Sequence, residues 1–100
     1  GEEESVAMQV TVEYAAQIKR VAGVARDVIE LDGPCEVAEI ARRVAANRGD
    51  GLAEILLDEN GQPRPSILVF LGDLQLRWDD TTTRVQDGQT ITLLSPVSGG

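Results

Sequence analysis

The stretch Asp87-Gly88-Gln89-Thr90-Ile91-Thr92-Leu93-Leu94-Ser95-Pro96-Val97-Ser98-Gly99-Gly100 decides how this chain folds. Asp87-Gly88 marks a tight turn, and the run Thr90 to Leu94 that follows has Ile91 and Leu93 on one face, as a strand requires. Pro96 lacks a donor, so it ends the ladder and lets the chain leave the body of the domain. Two glycines without a Cβ can thread a channel closed to any other residue. The α-carboxylate of Gly100 is then the one group expected to do covalent chemistry inside a narrow foreign active site.

Upstream of this segment the same alternation opens the chain. Met8, Val10, Val12 and Tyr14 alternate with Gln9, Thr11 and Glu13, which predicts a strand with one wet face. Gly23 punctuates, and Val24 to Leu31 holds a second strand, so the pair is expected to form a hairpin. Asp32-Gly33-Pro34 breaks it. Val37, Ile40, Ala41, Val44 and Ala45 then fall on one helical stripe, with Glu39 and Arg43 paired on another face and Gly49 as C-terminal cap. A short helix is expected near Leu52 to Leu57, and a loop over Asp58 to Pro65. Ile67 to Leu71 is continuously apolar, as in a central strand, and Leu74, Leu76 and Trp78 alternate beside it. The order β-β-α-(short helix)-β-β-β predicts an α+β two-layer domain with a mixed sheet covered by one main helix.

Composition excludes several functions. One hundred residues make one domain, and 42% hydrophobic with 26% charged residues is globular. No apolar run approaches the roughly 20 residues that span a bilayer, so no membrane role is expected and a cytoplasmic location is the default. Net charge is −8 and the nine Lys and Arg are scattered, which argues against nucleic acid. There is no His, so the usual general base and the commonest zinc ligand are both missing. No metal site is expected: Asp79-Asp80 has no third spaced carboxylate. A self-contained enzyme is not expected either. Cys35 is alone and cannot form an internal disulfide; it reads as a small buried residue rather than a reactive thiol. Trp78 reads as a packing residue, and Glu2-Glu3-Glu4 as a solvated run within a mobile processed end, Gly1 to Ser5.

Three segments resemble the ubiquitin-like β-grasp sulfur carriers, which include the small subunit of molybdopterin synthase and the thiamine-pathway carrier. Tyr14-Ala15-Ala16-Gln17-Ile18-Lys19-Arg20-Val21-Ala22-Gly23 resembles the family's segment after the first strand, and Val37-Ala38-Glu39-Ile40 its helix opening. Asp87-Gly88-Gln89-Thr90-Ile91 and Ser95-Pro96-Val97-Ser98-Gly99-Gly100 match its turn and its tail, the most specific of the three. The resemblance spans residues 6 to 100, with residues 6–95 as the β-grasp domain and 96–100 as a flexible diglycine tail. The chain departs from the pattern at Ala15, where many small subunits have an aromatic. It departs again at Cys35, where the family has a capping Thr. The segment Asp58 to Arg64 is longer than in thiamine carriers and is similar to carriers serving cysteine or thioacid synthesis.

The resemblance implies that a ubiquitin-activating-type enzyme uses ATP and Mg²⁺ to adenylate Gly100, after which sulfur replaces AMP to give a thiocarboxylate. Pro96, Val97, Ser98 and Gly99 form the tail that enters the partner, and no cofactor is held by the carrier itself. The implied acceptor is an enzyme such as the large subunit of molybdopterin synthase. If the helix covers Ile67, Val69, Ile91 and Leu93, then Leu68, Phe70 and Leu94 emerge on the sheet's open face as a partner-binding patch. Cysteine, thiamine or other thioacid pathways remain open as destinations. So do a protein modifier conjugated through Gly100 and a non-covalent interaction domain that borrows the fold.

Overall fold

A computed structural model of the chain describes residues 7–96. The expected mobile segment Gly1 to Ser5 and the tail residues Val97, Ser98, Gly99 and Gly100 lie outside the described residues.

Five strands form one mixed sheet: β1 (Met8–Ala16), β2 (Arg26–Leu31), β3 (Leu68–Leu71), β4 (Leu74–Leu76) and β5 (Thr90–Ser95). Their spatial order is β2-β1-β5-β3-β4. The first and last strands lie side by side in the middle, parallel, with Thr11 opposite Thr90 and Ala16 opposite Ser95. All other pairings are antiparallel. The Asp87-Gly88 turn sets the central register. Asp87 Oδ1 accepts the Gln9 amide at 2.8 Å, and the Gly88 amide donates to the Gln9 carbonyl at 2.8 Å. Gly88 sits at φ +83°, which a residue with a Cβ adopts only under strain. β5 is thereby stitched to β1 before its first residue.

Three helices accompany the sheet: α1 (Gln17–Ala22), α2 (Val37–Arg48) and α3 (Asp50–Leu56). Val37, Ile40, Ala41, Val44 and Ala45 are buried on α2, as their spacing requires. Val37, Ile40, Val44 and Ala45 join a core with Val10, Val12, Tyr14, Ile29, Val69, Ile91 and Leu93, which is the inner face of the sheet. Burying that many aliphatic side chains at ~1.5–3 kcal/mol each is the main source of stability.

The structure adds to or departs from the sequence reading in three places. The connector between β1 and β2 contains a helix that the periodicity does not announce, α1, anchored by the fully buried Ile18 and closed by Gly23 at φ +79°. β2 occupies Arg26–Leu31, within the expected span Val24 to Leu31. Trp78 lies past the end of β4, in a turn closed by the Asp80 amide, which donates to the Arg77 carbonyl at 3.1 Å. Finally, Cys35 is not the N-cap of α2. Glu36 holds that position with extended backbone and no side-chain cap, while Cys35 pairs its backbone with Val85.

Candidate functional site: the open sheet face and the exit of the last strand

Cross-strand partners share a face, so the register maps the surface opposite the helices. One row runs Ala15, Leu94, Leu68 across β1, β5 and β3. The next runs Arg26, Glu13, Thr92, Phe70, Gln75. A third runs Val28, Thr11, Thr90. The first row is apolar, and Phe70 extends it. Together they form a corner at the end of the sheet where β5 gives way to the exposed Pro96.

Leu68, Phe70 and Leu94 are partly exposed, whereas Ile67, Val69, Ile91 and Leu93 retain 2% exposure or less. Alternation along β3 and β5 therefore sends neighbours to opposite faces. The same corner continues round the β3–β4 edge into a cleft of about 340 Å³. Leu68, Gln75, Pro63, Pro65 and Trp78 are among the residues that line it. Trp78 is fixed there by its indole N–H, which donates to the Ile67 carbonyl at 2.7 Å. The sequence predicts a packing role for Trp78; the turn after β4 and this hydrogen bond place it on the wall of the cleft as well.

On the inner side of this end, three side chains lock β1, β2 and α2 together. The Tyr14 hydroxyl donates to Asp27 Oδ2 at 2.7 Å, and Arg48 Nε donates to the same oxygen at 2.7 Å. A second contact joins Arg48 Nη2 to Asp27 Oδ1. The guanidinium's hydrogen bonds hold the Asp27 carboxyl below the usual carboxylate range, and the Tyr14 phenol assists. Burial, and then the neighbouring carboxylate, push the Tyr14 phenol well above its ordinary value.

The other candidate groups are already engaged. Asp80 accepts from the amides and hydroxyls of Thr82 and Thr83 at 2.8–2.9 Å, and those bonds drive its carboxyl far down. Asp79 is tied to Arg77. Among the described residues no cluster of three metal-ligating side chains occurs, and no helix is long and apolar enough to cross a membrane. The Cys35 thiol is pushed up by burial and by Glu39, which disfavours the thiolate that reactivity requires.

Known structures share this arrangement. The crystal structure of SAMP1 from Haloferax volcanii superposes with a TM-score of 0.77 at 21% identity, over 92% of this chain and 99% of that one. Urm1 from Trypanosoma brucei gives 0.71 at 22%, over 97% and 100%. A Pyrococcus furiosus protein named as a candidate molybdopterin converting factor, subunit 1, gives 0.68 at 22%, over 90% and 99%. The fold is the ubiquitin-like β-grasp. No family model matches the sequence, and no curated protein sequence matches it significantly. On this β-grasp scaffold the exit of β5 and the apolar corner form one continuous surface, with the strand that leads to the tail as its spine.

Proposed function

We propose that the chain is a cytoplasmic sulfur carrier whose Gly100 carboxylate is activated and converted to a thiocarboxylate, serving as the small subunit of molybdopterin synthase. One observation carries this reading. A central strand runs out of the sheet beside an apolar corner, so a partner gripping Leu68, Phe70 and Leu94 meets the chain at Pro96, from which the sequence has four residues to Gly100. The likeness to a candidate molybdopterin converting factor subunit supports the choice of pathway.

The chemistry divides between proteins. A Gly100 carboxylate oxygen attacks the α-phosphate of ATP, held with Mg²⁺ by a ubiquitin-activating-type adenylating enzyme, and pyrophosphate leaves. A sulfur nucleophile then attacks the acyl carbon and AMP departs. The large subunit of molybdopterin synthase would accept the sulfur. The carrier contributes the carboxylate and its delivery; the acid–base groups belong to its partners. Incubation with an active adenylating enzyme, ATP and a sulfur source is expected to add about 16 Da, the exchange of oxygen for sulfur. No mass change beside a positive control for the enzyme would refute the proposal.

The likeness to SAMP1, an archaeal modifier protein, favours a second reading, conjugation of Gly100 to lysines of other proteins. A blot of cell lysate against the chain separates the two: a non-reducible ladder supports conjugation, and a single free band opposes it.

A further inference from the structure

The sheet ends on one side at β2, and among the described residues no strand pairs with its outer edge. The opposite edge, β4, is three residues long, whereas β2 offers six in unbroken register and without a proline to blunt them. The Tyr14 amide donates to the Ala25 carbonyl at 2.9 Å, so the odd-numbered residues of this strand turn their backbone groups towards β1. The N–H and C=O groups of Arg26, Val28 and Glu30 therefore point away from the sheet. Their side chains are the exposed ones of β2, with Val28 59% exposed, and they share the face opposite the helices.

We infer that β2 is a self-docking edge, at which two copies of the chain join antiparallel about a two-fold axis through Val28 and continue one sheet into the other. An axis normal to the sheet keeps each face on its own side. Centred on Val28, it sets Arg26 of either copy opposite Glu30 of the other. All three outward residues then find backbone partners, with two hydrogen bonds at each of three pairs and so about six in all. The side chains agree with the backbone. Val28 meets Val28, and Arg26 sits between Glu13 of its own chain, 3.8 Å away, and Glu30 of the second copy. Across the seam the rows read Glu13, Arg26, Glu30, Gln9 and Thr11, Val28, Val28, Thr11, so no like charges are opposed. Moving the axis by one residue leaves Arg26 or Glu30 without a partner in the other β2, and in one direction it sets Asp27 against Asp27. The matched charges are what select a second copy, since chains of net charge −8 otherwise repel one another. The row that ends at Arg26 reaches Phe70 three strands away, roughly 14 Å. Pairing therefore leaves the corner of Leu68, Phe70 and Leu94 open in both copies, on the same face of the joined sheet, and it does not depend on whether Gly100 is activated.

Sedimentation equilibrium of the full chain from about 10 µM to about 1 mM tests this, the range suited to an interface below about 1,200 Å². The mean mass should climb from one chain towards two. Glu30→Arg opposes Arg26 with a like charge and should lower the association constant roughly tenfold or more, and Arg26→Glu should do the same. Both positions are exposed, so circular dichroism should show both variants folded. Mixed in equal amounts, the two variants again set opposite charges against each other at every ion pair, and they should associate as tightly as the parent. A parent mass that stays at one chain throughout overturns the inference. So does either variant self-associating at the parent's strength, which would place the contact elsewhere, or a mixture that remains monomeric.

Discussion

Removing the Asp27 carboxylate should expose how the end of the sheet is held, because two different partners depend on it. Tyr14 is 4% exposed, and among the described residues the only hydrogen bond of its hydroxyl is to Asp27. Asp27→Ala leaves that phenolic donor buried without an acceptor, at about 1–3 kcal/mol. The Arg48 contact is open to solvent and adds little. Tyr14→Phe removes the donor instead and should cost about 1 kcal/mol. In the Tyr14→Phe background the Asp27→Ala change no longer strands anything, so its cost should largely vanish. The coupling read from the cycle is then about 1–3 kcal/mol, or roughly 4–24 °C in Tm for a domain of this size. Urea unfolding of the four proteins, followed by circular dichroism at neutral pH, measures it. Additive losses would refute the idea that the buried hydroxyl, rather than the exposed ion pair, gives Asp27 its weight.

Acid should weaken the fold in a defined window. The Asp27, Asp79 and Asp80 carboxyls are all depressed in the folded state, so folding binds fewer protons than the unfolded chain does. Their stabilisation is complete above the ordinary carboxylate value of about 4 and drains away as pH falls below it; a melting temperature flat from pH 7 to pH 2 would contradict this. Ala16 adopts φ 57° and ψ −130°, a region glycine tolerates and alanine does not. Ala16→Gly should therefore raise stability by about 1 kcal/mol, after allowing for the entropy glycine loses, and a lower urea midpoint would count against strain there. Val69→Asp and Phe70→Asp, one residue apart, should diverge. The first places a charge at a site 1% exposed and should unfold the domain. The second should lower the melting temperature yet leave a folded protein that no longer binds its partner; equal unfolding of both would remove Phe70 from the docking surface.

What the sequence made legible is what repeats. β1, β5 and α2 each carry enough periodic positions to declare their inner face, whereas along the continuously apolar Ile67 to Leu71 the split of Val69 from Phe70 depended on which face the helix covers. α1 left no such signature: in six residues only Ile18 is buried, and Ala16 before it offers no capping side chain. Val85 is fully buried yet stands alone in a polar loop, where no period can form; its partner is the Cys35 backbone, fifty residues away in sequence. Leu74-x-Leu76-x-Trp78 keeps perfect alternation although the backbone has already entered the turn that the Asp80 amide closes on the Arg77 carbonyl. The site followed the same logic. The outward face of Leu68, Phe70 and Leu94 agrees with the expected phase, whereas the cleft at Trp78 depends on Pro63 and Pro65 folding beside it, which only the tertiary structure brings about.

The parallel pairing of β1 with β5 also has a mechanical meaning. β1 enters the sheet at one end and β5 leaves at the other, so tension between the front of the chain and Pro96 pulls the two central strands in opposite directions along their length. Their hydrogen bonds, from Thr11–Thr90 to Ala16–Ser95, are then loaded together in shear rather than opened one after another. A partner that tugs on the tail draws on the whole seam at once, and the domain resists as a single clamp. Single-molecule pulling along this axis should give a higher rupture force than pulling apart the antiparallel β3–β4 hairpin, whose three pairs peel from one edge.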